Sequence, residues 1–210
     1  MNAPELSQDR PGVLGAYRAQ HWRCTPGREA EYAPVWARYV ALKEAEKEDE
    51  AEAVLQTELR PLQTLLSDEV FSNIVTTAGK NLTLDTILAG SAFTATTRMG
   101  LKGTGTAVAA DTQASHASWL EQGLANAPTY TGNRPTPSFS SAAAGSKATS
   151  AAVSFAITST GTVFGAFINI NGSATKDDTT GTLFSAGDFS GGSKGVISGD
   201  TISVSYSCAA

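Results

Sequence analysis

The residues from Ala151 to Ser207 constrain the fold of this chain more than any other stretch. Within it, two short runs alternate apolar residues with small or polar ones: Val153, Phe155 and Ile157, then Ile202, Val204 and Tyr206. A period of two places one face of a β-strand against a core and the other face in water. The residues between the runs are mostly Gly, Ser, Thr, Asn and Asp, which are typical of tight turns. We therefore predict an antiparallel β-sandwich of the jelly-roll or immunoglobulin-like kind.

Charged residues divide the chain into two regions of different character. Residues 1–69 contain 8 of the 15 basic and 13 of the 20 acidic residues, although they make up only a third of the 210 residues. We therefore predict an α+β organisation with two parts. Residues 1–66 would form an N-terminal extended arm and a helical attachment region, and residues 67–210 would form the antiparallel β-sandwich domain.

A long charged helix is predicted between Arg28 and Arg60. This segment has no glycine and a single proline, Pro34, and apolar residues recur with helical spacing on both sides of an alanine-rich, charged middle part. Two interpretations are open: one long helix, or two helices broken somewhere in residues 44–51. We favour the single helix, with Pro61 ending it. The acidic run Glu44–Glu52 is expected to face solvent or a basic partner.

Aromatic residues in this polar N-terminal third are candidates for contacts with a partner. Residues 1–24 are predicted to form an irregular arm that includes one short helical or extended piece. Trp22 lies in that arm, and Trp36, Tyr39 and Val40 lie on the predicted helix. Exposed Trp and Tyr are common anchors of protein–protein interfaces, so we name these four residues as the candidate partner-binding set. The alternative is that they pack on the sandwich or on one another.

The region between the helix and the C-terminal strands predicts shorter elements. Val70, Ile74 and Val75 indicate a strand, residues 82–88 a short helix capped near Thr83, and residues 92–101 a second strand. Residues 126–150 hold three prolines among small polar residues, which favours an extended segment with at most one edge strand.

Composition argues against several functional classes. The net charge of −5 argues against nucleic acid binding, which favours a basic face, and no apolar run is long enough to span a membrane. The N-terminus has no pattern of a secretory signal, so we expect Cys24 and Cys208 to be reduced thiols.

No motif predicts a catalytic site, a metal site or a cofactor. His21 and Cys24 are three residues apart, but a structural zinc site needs about four ligands. His116 has no serine in a nucleophile-elbow motif, and we expect it to be a turn histidine packed beside Trp119. The pair Asp177–Asp178 is most simply an ordinary turn.

Three motifs in the same order resemble proteins of tailed-bacteriophage virions. They are LSDEVFSNIVTTAGKNLTLDTIL at residues 66–88, FTATTRMGLKGTGTAVAADTQASHASWLE at residues 93–121, and GAFINI followed by TTGTLFSAGDFSGGSKGVISGDTISVSY within residues 165–206. The group comprises capsid decoration (cement), head-fibre and tail-associated structural proteins. The resemblance implies a β-sandwich or jelly-roll without enzymatic activity or cofactor. Residues 1–65 depart from it and would be an attachment module of this chain.

On this resemblance we predict a non-enzymatic virion protein that decorates the capsid through its N-terminal region. Its partners would be the major capsid protein or other virion proteins, it would form a homo-oligomer, and it would be assembled in the bacterial cytoplasm. One alternative is a tail or neck adaptor that attaches a fibre. Another is a glycan-binding module for host glycans that uses exposed Trp119 and Tyr130.

Overall fold

A computed structural model describes residues 14–88 and 93–209 of this mixed α/β fold, whose sheets are antiparallel. The described helices are α1 (Glu29–Glu44), α2 (Glu48–Val54) and α3 (Thr77–Leu88), and a π-helical turn (Leu55–Leu59) and a 3-10 turn (Arg60–Leu62) follow α2. The described strands are β1 (Leu14–Cys24), β2 (Gln63–Ser72), β3 (Ile74–Val75), β4 (Thr97–Lys102), β5 (Glu121–Gln122), β6 (Ser146–Ala148), β7 (Val153–Ala156), β8 (Gly161–Val163), β9 (Gly165–Ile170), β10 (Thr182–Asp188), β11 (Lys194–Val196) and β12 (Thr201–Ala209). None of the helices described is long and apolar enough to cross a membrane.

Most of the strands belong to two five-stranded sheets. The first sheet has the order β2-β1-β12-β6, and β7 also pairs with β12. The second sheet has the order β3-β10-β9-β4-β5, and β8 and β11 form a separate pair. Apolar side chains from both sheets share one core, in which Tyr17 and Ile202 of the first sheet belong to the same cluster as Met99 and Ile168 of the second.

The two C-terminal runs form strands β7 and β12 as predicted, but the prediction that one face of each strand lies in water is wrong. All four residues of β7 and Thr201–Val204 of β12 are buried, and Arg60 from the helical segment covers Ser203 on the polar face. Phe155 of β7 and Val204 of β12 are 1% and 0% exposed, and the two strands pair antiparallel. The prediction for residues 126–150 is confirmed, since β6 is the one named strand described there and pairs with the end of β12.

The prediction of an irregular arm over residues 1–24 is wrong for the part that the structure describes, and residues 1–13 lie outside the described residues. Residues 14–24 form β1, an eleven-residue strand inside the first sheet that pairs with β12 on one side and β2 on the other. Tyr17, Ala19 and His21 are buried on alternate positions, whereas Arg18 is exposed. Hence β1 has the same period of two, carried by residues that are less apolar.

The single long helix is also wrong, because the segment forms two helices. Glu46 has a φ of +56°, and the backbone N–H groups of Glu46 and Lys47 donate to the carbonyls of Lys43 and Leu42. These two bonds form a Schellman motif, which ends α1 with a left-handed residue. The chain then folds back, so that Leu55 and Leu59 bury their side chains against the α1 aromatics instead of extending into water.

The helical segment packs on the first sheet. Its cluster includes Tyr32, Leu59 and, from β7, Ala156. The Arg60 guanidinium reaches the sheet and donates to the hydroxyl of Thr201 at 2.8 Å and to that of Ser203 at 2.5 Å. The predicted boundary between residues 66 and 67 falls inside β2, and the first sheet takes strands from both sides of it.

Two predicted elements differ from the observed ones at their ends. The helix predicted over residues 82–88 begins earlier, at Thr77, and the hydroxyl of Thr76 accepts a hydrogen bond from the N–H of Gly79 at 3.0 Å. Thr76 therefore caps the helix, in place of Thr83. The strand predicted over residues 92–101 is β4, which starts at Thr97.

Candidate partner-binding surface

The structure brings three of the four predicted contact residues together on α1 and places the fourth on β1. The ring centroids of Trp36 lie 5.8 Å from those of both Tyr32 and Tyr39. Tyr39 is only 1% exposed, whereas Trp36 and Val40 are partly buried. Trp22 is also partly buried, and the Arg60 guanidinium lies 4.4 Å from its ring centroid. These residues thus pack on one another and on the sheet, and their role in binding a partner stays a prediction.

A groove opens beside Trp36, between the first half of α1 and the turn that precedes β12. Its volume is about 480 Å³, and its walls are mostly apolar. Tyr32 and Trp36 form one wall, and Ile197, which is 44% exposed, forms part of the other. The Tyr32 hydroxyl donates to the carbonyl of Gly199, which holds α1 against that turn. Trp36 is thus a predicted contact residue that lines an apolar opening.

Asp200 fixes the floor of this groove. Its buried carboxylate lies 2.8 Å from His21 Nε2, and it accepts hydrogen bonds from Arg23 Nε at 2.9 Å and Arg23 Nη2 at 2.7 Å. The backbone N–H of Ile197 donates to the same carboxylate at 3.0 Å. Burial alone would raise the pKa of Asp200, but the hydrogen bonds from Arg23, His21 and Ile197 outweigh it and hold that pKa below its usual value. Asp200 therefore stays ionised and ties β1 to the start of β12.

Both cysteines are free thiols. Cys24 lines the groove and is partly buried, and burial raises the pKa of its thiol. Burial likewise raises the pKa of the Cys208 thiol. A raised pKa keeps a thiol protonated at neutral pH, which makes it a poor nucleophile.

A second opening, of about 350 Å³, lies in the loops that follow β4 and surrounds His116. The ring of His116 stacks on Trp119 with centroids 4.0 Å apart, so the predicted packing of this histidine is confirmed. Its Nδ1 lies 2.9 Å from the carbonyl oxygen of Trp119 and donates to it, because a carbonyl oxygen can only accept. Trp119 and Tyr130 are each 2% exposed, so the prediction that they form an exposed glycan-binding platform is wrong.

The acidic pair beside this opening forms an ordinary turn, as predicted. Asp177 has a φ of +62°, and its carboxylate accepts from the N–H of Ala125 at 3.0 Å. Asp178 accepts from the N–H of Thr180 at 2.8 Å. In the ranges 14–88 and 93–209, no group of three or more His, Cys, Asp or Glu residues is arranged to hold a metal ion.

Sequence reasoning missed the exposed apolar face of α3. Leu84, Ile87 and Leu88 are 54%, 70% and 79% exposed, and they lie on one side of the helix at spacings of three and four residues. The same spacing in the sequence predicts an apolar face, but it cannot tell whether the fold covers that face.

Comparison with known proteins adds no relative to this description. No protein-family model, no curated protein and no solved structure matches the chain.

Proposed function

We propose that the chain is a non-enzymatic structural protein of a tailed-bacteriophage virion, which decorates the capsid and binds the major capsid protein. The observation that carries this proposal is the apolar groove of about 480 Å³ beside Trp36, at the junction of the helices and the first sheet. The groove lies where the N-terminal region meets the part of the chain that resembles virion proteins.

The same proposal includes a β-sandwich. The two five-stranded antiparallel sheets contribute side chains to one apolar core, as sheets packed face to face do. A sandwich of this kind is a rigid body, and many copies of it fit the repeated lattice of a capsid.

We propose that a capsid segment inserts an apolar side chain between Trp36 and Ile197. Both residues offer accessible apolar surface, and Tyr39 supports Trp36 from the buried side. A stable contact needs a total buried area of about 1,200 Å² or more, so Val40 and neighbouring parts of α1 would contribute to its rim. Repetition of the contact over the lattice would add avidity.

The location of the protein in the particle tests this proposal. Quantitative mass spectrometry on separated heads and tails would find hundreds of copies in the head fraction if the protein decorates the capsid. A small number of copies with the tails would instead support the tail or neck adaptor. Absence from both fractions would overturn the virion assignment.

A substitution in the groove tests the binding surface. Ile197→Asp should weaken binding to purified capsids by about 30-fold, the size expected for an interface hot spot of about 2 kcal/mol. The matched control is Ile87→Asp on α3, which removes an exposed isoleucine elsewhere and should leave binding unchanged. An equal loss in both variants, or none in Ile197→Asp, would contradict the role of the groove.

A further inference from the structure

The turn between α1 and α2 carries much of the negative charge of the chain. Residues 44–52 contain six acidic residues and one basic residue, Lys47, whereas the net charge of the whole chain is −5. Lys47 pairs with Glu50 at 2.9 Å, and residues 44–50 are all exposed. This acidic surface alone would be an ordinary solvated helix end, but a cavity lies beside it.

The cavity lies between the two helices and the chain segments on either side of β6. It has a volume of about 150 Å³, and Glu48, Asp49 and Glu52 of α2 line it. The buried Lys43 also lines it, but its ammonium group pairs with Glu48 at 2.5 Å. Neither Asp49 nor Glu52 forms an ion pair with any residue in the described part of the chain. Glu52 Oε1 accepts a hydrogen bond from Gln56 Nε2 at 2.8 Å, so its other oxygen and the Asp49 carboxylate are the acceptors that the lining offers to a cation.

Tyr39, which lines the same cavity, has a buried hydroxyl group without a partner among the described residues. Tyr39 is 1% exposed, and its hydroxyl has no hydrogen-bond partner within residues 14–88 and 93–209. Burial, followed by the negative charge of Glu52, raises the pKa of this hydroxyl, so it stays protonated. Leaving a buried polar group unpaired costs about 1–3 kcal/mol. The hydroxyl is an independent sign that this cavity is built to hold a polar ligand.

We propose that this cavity binds the guanidinium group of an arginine side chain from a partner protein. The Asp49 carboxylate, the second oxygen of Glu52 and a hydroxyl oxygen match a planar cation with several N–H donors. The volume corresponds to about five water molecules at about 30 Å³ each, which is enough for such a group. Pro135 and Ala152 add apolar wall, which suits the weakly hydrated face of a guanidinium.

The surroundings favour a side chain attached to a polypeptide. An adjoining cavity of about 240 Å³ shares Lys43, Glu48, Pro135 and Thr136 with the first one. The two openings are therefore neighbours beside the α1–α2 turn, and the second one offers room for chain on one side of the arginine. The inference does not depend on the capsid assignment, since any basic partner could supply this group.

The test is a titration of the ¹⁵N-labelled protein with arginine amide, followed by backbone amide chemical shifts. Saturable shifts are expected at Tyr39, Glu48 and Glu52, and citrulline amide, the neutral analogue, should cause none. Tyr39→Phe and Glu52→Gln should each weaken binding about tenfold, the effect of losing a hydrogen bond to a charged group. Tyr39→Phe should also fold with unchanged or higher stability, because its hydroxyl has no protein partner.

Glu44→Gln is the matched control, since Glu44 belongs to the same acidic surface but does not line the cavity. It should change the affinity by less than about twofold. Equal weakening in Glu44→Gln and Glu52→Gln would overturn the site in favour of general attraction to an acidic surface. Equal binding of the neutral citrulline amide, or a lack of saturable shifts with arginine amide, would also overturn the site. Lysine amide and putrescine carry ammonium groups in place of a guanidinium, and equal binding of the first or tighter binding of the second would show that the cavity does not select a guanidinium.

Discussion

Replacing Asp200 with asparagine is expected to destabilise the protein by about 3 kcal/mol. The carboxylate is 0% exposed and makes four hydrogen bonds, two of them with Arg23. The amide of asparagine keeps one acceptor oxygen but turns the other acceptor into a donor. His21 Nε2, Arg23 Nη2 and the N–H of Ile197 all contact the same oxygen, Oδ2, so the amide oxygen takes that position and Arg23 Nε, which bonded to Oδ1, loses its acceptor. The unpaired Nε costs about 1–3 kcal/mol, and the three remaining bonds weaken because they no longer end on a charge. The Arg23 side chain is 34% exposed, so water recovers part of that loss.

Asp68→Asn is the matched control for this substitution. Asp68 also accepts two hydrogen bonds from one arginine, Arg18, at 2.8 and 2.5 Å, but the Arg18 side chain is 55% exposed. Exposed pairs contribute about 0–1 kcal/mol. In thermal unfolding we expect Asp200→Asn to lower Tm by about 6–12 °C and Asp68→Asn by at most about 4 °C. Equal shifts in the two variants would refute the reasoning that burial sets the cost.

The contribution of Asp200 should also depend on pH. Since its pKa in the folded protein lies below the unfolded value of about 3.9, its stabilisation is fully present above that value. It is lost as the pH falls through the folded-state pKa. The difference in stability between the parent protein and Asp200→Asn should therefore shrink as the pH falls below about 4, and a difference that stayed constant on acidification would contradict the assignment.

Three further substitutions test other parts of the fold. Glu121→Gln should cost about 3 kcal/mol in urea unfolding, because it leaves Arg134, which is 1% exposed, without its carboxylate, and a cost below about 1 kcal/mol would contradict a buried ion pair. Leu59→Ala should cost about 2–5 kcal/mol if the helices are an integral part of the fold, and a neutral result would show that they are not. Glu46→Gly should leave stability unchanged or raise it by up to about 1 kcal/mol, since glycine adopts the positive φ without strain, whereas a clear loss would contradict the observed helix end.

Patterns in the local sequence predicted the strands with large apolar residues at alternate positions and the segment rich in residues of high helix propensity. The alternation of Phe155 and Val204 with polar neighbours predicted β7 and β12, because apolar positions two apart line one face of a strand. It did not predict that the polar face is buried as well, since Arg60 of the helical segment covers Ser203 there. The same period in β1 was missed, since its inward positions include Ala19 and His21 instead of large apolar residues. His21 is buried because Asp200, 179 residues away, accepts its hydrogen bond, and no local window contains that partner.

The candidate surface was likewise predictable only in part. Composition identified the aromatic residues of α1 and the acidic residues near its end, but it could not separate buried Tyr39 from partly exposed Trp36. That separation depends on where α2 folds back, and this in turn depends on the positive φ of Glu46.

The C-terminal strands and the helical character of residues 29–54 could be read from local sequence, because they follow from the conformational preferences and spacing of neighbouring residues. The position of β1 inside a sheet, the return of the helices onto that sheet, and the meeting of Tyr39 with carboxylates of α2 in one cavity arise only in the folded chain. Each of these features joins segments that are distant in the chain. Their free energy comes from burial and hydrogen bonds between those segments, which no stretch of sequence contains on its own.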